Sequence, residues 1–287
     1  MDKIGLVLEG GGMRGIYTAG VLDCLLDHEI ETDGVIGVSA GACHATSYLS
    51  KQRERNFRVN TKYLKDKEYL SLHSLLKTGS LFGMDMLFNR IPHELEPYDY
   101  DTFNQSKSEL IIVSTNIETG EPDYHVIKDM DKEIGYIQAS SSLPLLAHYV
   151  EIDGKKLMDG GCSDSIPVQY MRSHGYPKNI VILTQHKDYR KGKNNLLPII
   201  KHNYKEYPKL VDALATRHFQ YNRTLDELQY LQRQGEVFII QPSEPLSISR
   251  IEKNIDKLKK VYQLGYEDCE KQMKELKTFM TEEKAVV

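Results

Sequence analysis

Three short clusters in this sequence pair chemically capable residues with the spacing their chemistry needs. Gly10-Gly11-Gly12-Met13-Arg14-Gly15 follows a short apolar run. Without Cβ atoms in the way, backbone N–H groups converge there, and a helix opening at that point adds partial positive charge; the turn is an anion cradle. The same letters spell the G-x-G-x-x-G dinucleotide fingerprint, with Asp33 eighteen residues beyond Gly15. Gly37-Val38-Ser39-Ala40-Gly41 is a G-x-S-x-G pattern. Its glycines let the chain turn sharply enough to push a serine Oγ clear of a sheet end, the geometry of a nucleophile elbow. Asp159-Gly160-Gly161 is on its own an ordinary turn signal.

These residues need elements to carry them. Ile4–Glu9 reads as a buried strand, and Ile16, Ala19, Leu22 and Leu26 recur at helical spacing after the first glycine turn. Val35–Val38 is a second strand, and the chain from Ser39 to about Leu49 a second helix. Strand, turn, helix repeated twice implies a parallel sheet with helical crossovers. Leu110–Ser114, Asn179–Thr184 and Val237–Ile240 fit the same sheet, and short runs at His148–Ile152 and Lys156–Met158 precede Asp159. Farther on, Asp212–Gln234 reads as a polar helix, and Ser249-Arg250-Ile251-Glu252 as a capping box opening a last helix to about Phe279.

Composition narrows the function classes. With 37 Lys+Arg against 41 Asp+Glu the net charge is −4, which argues against a nucleic-acid partner. Apolar content of 40% without low-complexity blocks argues against disorder. No apolar run is long enough to span a bilayer, and Met1-Asp2-Lys3 followed by a short strand is not a signal peptide, so a cytoplasmic chain is expected. Cys24, Cys43, Cys162 and Cys269 are widely spaced with no C-x-x-C pair, so neither a metal site nor a disulfide framework is expected.

Taken together and in order, the G-G-G-x-R-G, G-x-S-x-G and D-G-G clusters resemble the patatin-like phospholipase family. Ala139-Ser140-Ser141-Ser142-Leu143-Pro144 is similar to that family's segment before its catalytic aspartate, and Pro167 is similarly placed. The resemblance implies a three-layer α/β/α fold with a mostly parallel central sheet, here with a helical C-terminal extension. It implies a catalytic domain over residues 1–185 and a mostly helical region over 186–287, packed on the same core.

For function the resemblance implies a lipid acyl hydrolase of the phospholipase A or lysophospholipase type. Ser39 is then the nucleophile and Asp159 the general base and acid. Gly10, Gly11, Gly12 and Arg14 surround the oxyanion, with Gly11 and Gly12 as donors, and Gly15, Gly37, Gly41, Gly160 and Gly161 support the turns. No cofactor and no metal are implied; the partners are a lipid or other acyl ester and a transient membrane surface. Two alternatives stand beside this reading. Ser39, Asp159 and His186 follow the Ser…Asp…His order of α/β-hydrolases, and Gly10–Gly15 could serve a nucleotide. His44, five residues past Ser39, is expected to be a packed or surface histidine, and Cys43 and Cys162 packing residues. Leu81, Phe82, Met84, Met86, Leu87 and Phe88, in an insertion over residues 50–105, are candidates to cover an acyl chain. Lys187 to Lys209 holds seven Lys/Arg against two acids, a basic stretch suited to an anionic lipid surface or simply to solvent.

Overall fold

A computed structural model of the chain describes residues 2–282. Eight strands form one sheet: β1 Ile4–Leu8, β2 Gly34–Val38, β3 Glu109–Asn116, β4 Pro122–Ile127, β5 Val150–Ile152, β6 Lys155–Asp159, β7 Lys178–Ile182 and β8 Val237–Ile240. The helices are α1 Ile16–Asp27, α2 Ala40–Leu49, α3 Arg55–Lys62, α4 Leu72–Thr78, α5 Tyr100–Gln105, α6 Met130–Ser140, α7 Val168–Ser173, α8 Leu197–Asn203, α9 Pro208–Arg233 and α10 Ile255–Thr281.

Five strands run parallel in the order β3-β2-β1-β7-β8, and β4, β5 and β6 add antiparallel pairings at the β3 end. The sheet is therefore mixed around a parallel core. Side chains alternate across it as strand geometry requires. Leu6, Leu8, Val35, Leu110, Ile112, Ile180 and Ile182 pack on one face with α1, α2, α6 and α10. Val7, Ile36, Val38, Ile111, Val113 and Val181 pack on the other with α7 and α9. Both faces of the parallel core are covered, which is why its strands read as continuous apolar runs.

One pairing fixes the geometry of the site. β4 occupies one edge of β3 along Leu110–Thr115, while β2 pairs with Glu109–Val113 on the other. β2 ends at Val38, and β6 takes over the vacated edge, pairing Asp159 with Ser114. The residue that leaves β2 and the residue that ends β6 are thereby brought together.

The C-terminal helix departs from the expected start. Residues Ser249–Glu252 do not form its cap: Asn254 is the N-cap, its side chain accepting from the Lys257 N–H at 3.0 Å. Glu252 turns forward instead and accepts from the N–H groups of Lys253 and Asn254. α10 then crosses α1 at very close range. A Cβ at Gly20 would lie 2.0 Å from the Tyr262 carbonyl oxygen, and one at Gly265 2.1 Å from that of Tyr17. The insertion contains α3, α4, α5 and a wide-turned helical segment, Met86–Leu95, that accommodates Pro92. Among the described residues no helix is long and apolar enough to cross a membrane.

Candidate active site

Ser39 sits between β2 and α2 with φ of 55° and ψ of −122°. A non-glycine residue in that region is strained and persists only where its surroundings enforce it. The enforcement is visible on three sides. The Ser39 N–H donates to Ser140 Oγ at 2.8 Å, and that hydroxyl donates to the Val113 carbonyl at 2.5 Å. A Cβ at Gly41 would come within 2.5 Å of the Leu8 carbonyl oxygen, so α2 can press onto the end of β1 only with glycine there. A Cβ at Gly10 would meet Ser39 Cβ at 2.9 Å, which brings the glycine turn against the serine itself.

Asp159 is held by the same segment that clamps Ser39. Its N–H donates to the Ser142 carbonyl at 2.9 Å, and its own carbonyl accepts from Thr115 Oγ1 at 2.9 Å. Oδ1 accepts from the Gly161 N–H at 2.8 Å, whereas Oδ2 is buried without a hydrogen-bond partner among the described residues. Burial pushes the carboxyl above the usual aspartate range; the Ser39 hydroxyl, the Arg217 guanidinium, the Gly161 N–H and Arg250 pull the other way. A carboxylate is ordinarily a weak base for a hydroxyl, and burial strengthens it.

The glycine turn faces Ser39 and Asp159. Gly10, Gly11, Gly12, Ser39, Asp159 and Gly161 line one pocket. The Met13 N–H donates to the Arg250 carbonyl and the Arg14 N–H to the Gly11 carbonyl. The Gly10, Gly11 and Gly12 N–H groups have no acceptor among the described residues. Glu9 anchors the turn from below. Its buried carboxylate accepts from the Thr184 N–H at 2.6 Å, from Thr184 Oγ1 at 3.0 Å and from the Tyr221 hydroxyl at 2.6 Å. Arg14 lies behind the turn, where the Gln185 side-chain amide, once turned so that its oxygen faces the guanidinium, accepts from Nη1 at 2.9 Å and Nη2 at 3.2 Å; Arg14 lines no pocket at Ser39.

A second, apolar cavity opens on the other side of Ser39, sharing Gly12, Ser39 and Leu143 with the first. Phe82, Met84, Leu87 and Phe88 of the insertion line it, as do Ile134 and Ile137 of α6, while Leu81 and Met86 are packed in the core instead. Cys43 belongs to this wall, and Cys162 is buried elsewhere, in a small cluster with Met158 and Leu214.

The other candidate residues fall elsewhere. His186 lies 4.0 Å from Asp188 and lines neither pocket. Asp33 spends its carboxylate on the Ile4 N–H at 2.7 Å, at the opposite end of the sheet from the glycine turn, so no acid is placed there for a ribose. His44 is buried in the apolar wall with its pKa lowered to about 4 by burial. Cys24, His28 and Glu270 present possible metal donors between α1 and α10, away from Ser39. Three contributors escaped the sequence reading. Ser140 carries no signal of its own, Arg217 of α9 lies in no local motif, and Arg250 stands in a stretch that reads as a helix cap, yet both arginines line the Asp159 pocket.

A family model for a domain of unknown function, DUF6363, matches residues 207–281. The Escherichia coli protein YjjU is 30% identical over 63% of this chain and 52% of its own length. Lysophospholipase nte1 of Aspergillus terreus is 30% identical over 60% of this chain, and lysophospholipase NTE1 of Saccharomyces cerevisiae 29% identical over 61%. The match spans about half of YjjU and about a tenth of those lysophospholipases. VipD from Legionella pneumophila shares the fold at 15% identity, with a TM-score of 0.50 over 96% of this chain and 67% of VipD. The model for patatin-like phospholipase matches residues 6–172, more than half of the 287, and the chain belongs to that family.

Proposed function

We propose that this chain is a serine lipid acyl hydrolase working through Ser39 and Asp159. Ser39 Oγ attacks the ester carbonyl and gives up its proton to Asp159. Asp159 returns that proton to the leaving alkoxide and then draws one from the water that cleaves the acyl-enzyme. The negative oxygen formed in each half-reaction is received by the N–H groups of Gly11 and Gly12, with Gly10 and Gly15 shaping the turn. Arg14 contributes positive potential from behind the turn rather than a contact. The apolar cavity takes the acyl chain.

The observation that carries this reading is a coincidence of three features in one pocket: a strained serine, a buried carboxylate beside it, and glycine N–H groups without acceptors among the described residues. Residues 1–185 are read as the catalytic domain and 186–287 as an extension seated on it. α10 supports the second part, since Leu258, Val261, Met273 and Leu276 share a core with α1. Transient membrane contact is supported by exposed Leu196 and Ile199 among the exposed lysines 193, 201 and 205.

A fluorophosphonate probe should label the wild-type protein at Ser39, and Ser39→Ala should abolish both labelling and ester hydrolysis. Asp159→Asn should reduce hydrolysis at least about 10³-fold. Folded Ser39→Ala and Asp159→Asn proteins that retain full activity overturn the proposal.

A further inference from the structure

Asp159 marks which side of Ser39 receives the leaving group. The group that protonates the departing alkoxide must lie beside it, and Asp159 lines the smaller pocket but not the apolar cavity. The acyl chain and the alcohol of an ester therefore separate at Ser39 into two unlike spaces. The alcohol side is cationic. Arg217 Nη2 lies 3.2 Å from Ser165 Oγ, and Arg217 Nε is buried without a partner among the described residues. Arg250 lines the same pocket, from a backbone whose carbonyl accepts from the Met13 N–H of the glycine turn.

The ion pairs among the described residues engage Arg53, Arg58, Arg90, Arg172 and Arg190, and leave Arg14, Arg55, Arg217, Arg223, Arg233 and Arg250 without a carboxylate. Of these, Arg217 and Arg250 line the Asp159 pocket, whereas Arg55, in the apolar cavity, donates to the Glu96 carbonyl and the Ser47 hydroxyl. Burial and the neighbouring Arg217 and Arg14 hold the Arg250 guanidinium below its ordinary pKa. Asp159 is the nearby acid, and one buried carboxylate does not balance two guanidiniums. This side of the site has an unmet demand for negative charge, where guanidinium forks match phosphate oxygens.

We propose that Arg217 and Arg250 form a phosphate subsite that selects esters whose alcohol portion carries a phosphate, the chemistry of a glycerophospholipid headgroup. This rests on the acyl-hydrolase reading above. A phosphate in a glycerophospholipid stands a few bonds beyond the ester oxygen, on the alcohol side, where these side chains point into the pocket.

The test compares kcat/KM for a lysophospholipid with that for a monoacylglycerol of the same acyl chain, in wild type, Arg217→Gln and Arg250→Gln. Folding is checked by circular dichroism, and Arg217→Lys and Arg250→Lys serve as charge-preserving companions. The preference for the lysophospholipid should fall about 10- to 100-fold in each Gln variant, the loss of a charge-assisted hydrogen bond, and recover in part in the Lys variants. Equal losses on both substrates, with the ratio unmoved, overturn the proposal, because the arginines would then serve only Asp159. A calorimetric arm needs no turnover. Wild type should bind glycerol 3-phosphate more tightly than inorganic phosphate, and Arg250→Gln should lose that binding. No binding of glycerol 3-phosphate, or equal binding of inorganic phosphate, overturns the headgroup subsite. A wild type that binds glycerol 3-phosphate in this way but hydrolyses no ester supports the subsite and sinks the hydrolase reading alone.

Discussion

Ser39 stands between two walls made of different materials and drawn from different parts of the chain. The apolar wall is built by the insertion and α6, with Phe82, Met84, Leu87, Phe88, Ile134 and Ile137. The polar wall is built by the glycine turn, Asp159 and two arginines from the C-terminal third. An apolar surface is non-directional and tolerates any chain that fits it, whereas a guanidinium must meet a complementary group at hydrogen-bond distance. Under the proposed function, the first wall sets how much chain is accepted and the second what is attached to it.

Filling the apolar wall should affect chain length and little else. Met84 is half-buried and lines the cavity without belonging to the glycine turn or the Asp159 pocket. Met84→Trp takes the space of several methylenes, each worth about 0.8 kcal/mol when buried. The expected outcome is a fall of about 100-fold in kcat/KM for long-chain esters relative to acetyl esters. A variant with unaltered chain-length preference would mean that acyl chains do not enter this cavity.

A second substitution acts on the polar wall from a distance. Gly20 and Gly265 let α1 and α10 meet backbone to backbone, and the segment carrying Arg250 leads directly into α10. At Gly265 a Cβ would stand 2.1 Å from the Tyr17 carbonyl oxygen, so Gly265→Val must push the helices apart. Such overpacking costs about 3 kcal/mol, read as a lowered midpoint of chemical denaturation. Discrimination between lysophospholipid and monoacylglycerol should weaken in the variant while chain-length preference is retained. If both preferences were to change together, the two walls would not be independent.

The two walls also differ in how far the sequence discloses them. The glycine turn and the elbow are short motifs whose letters stand side by side, although the contacts that require their glycines, Gly41 against Leu8 and Gly10 against Ser39, come from the adjoining strand end. The parallel core was equally legible, because strands covered on both faces are continuously apolar. β4 was not, since it begins with Pro122 and is only half-buried along most of its length. The handover from β2 to β6 that joins Ser39 to Asp159 is a matter of topology, and no local pattern encodes it. Arg217 sits in a helix rich in exposed polar residues, where one inward arginine looks like its neighbours. Around Arg250 the sequence suggested a helix cap, because Ser249 and Glu252 have the right spacing, and the better capping residue at Asn254 lies farther along. The helical insertion was read only as an apolar stretch; Pro92 falls within a wide-turned helix, a form that simple periodicity does not describe.

The smallest expected effect concerns the one titratable imidazole in the apolar wall. His44 Nε2 faces the Asn60 side-chain amide nitrogen at 3.1 Å; Asn60 donates, so the neutral ring carries its proton on Nδ1. Burial lowers its pKa from 6.5 to about 4. A base whose folded pKa is depressed is protonated first in the unfolded chain, so stability is complete at neutral pH and declines as pH falls from about 6.5 toward 4. Between pH 7 and 5.5 the loss should be about 1 kcal/mol. Other groups, Asp159 included, titrate alike in wild type and in His44→Gln, so the difference between their denaturation midpoints isolates the imidazole. The gap should vary with pH over this window and level off above pH 7. A difference that stays constant from pH 7 to 5.5 would show that His44 is not held neutral, and that the wall beside Ser39 is more polar than its residues make it.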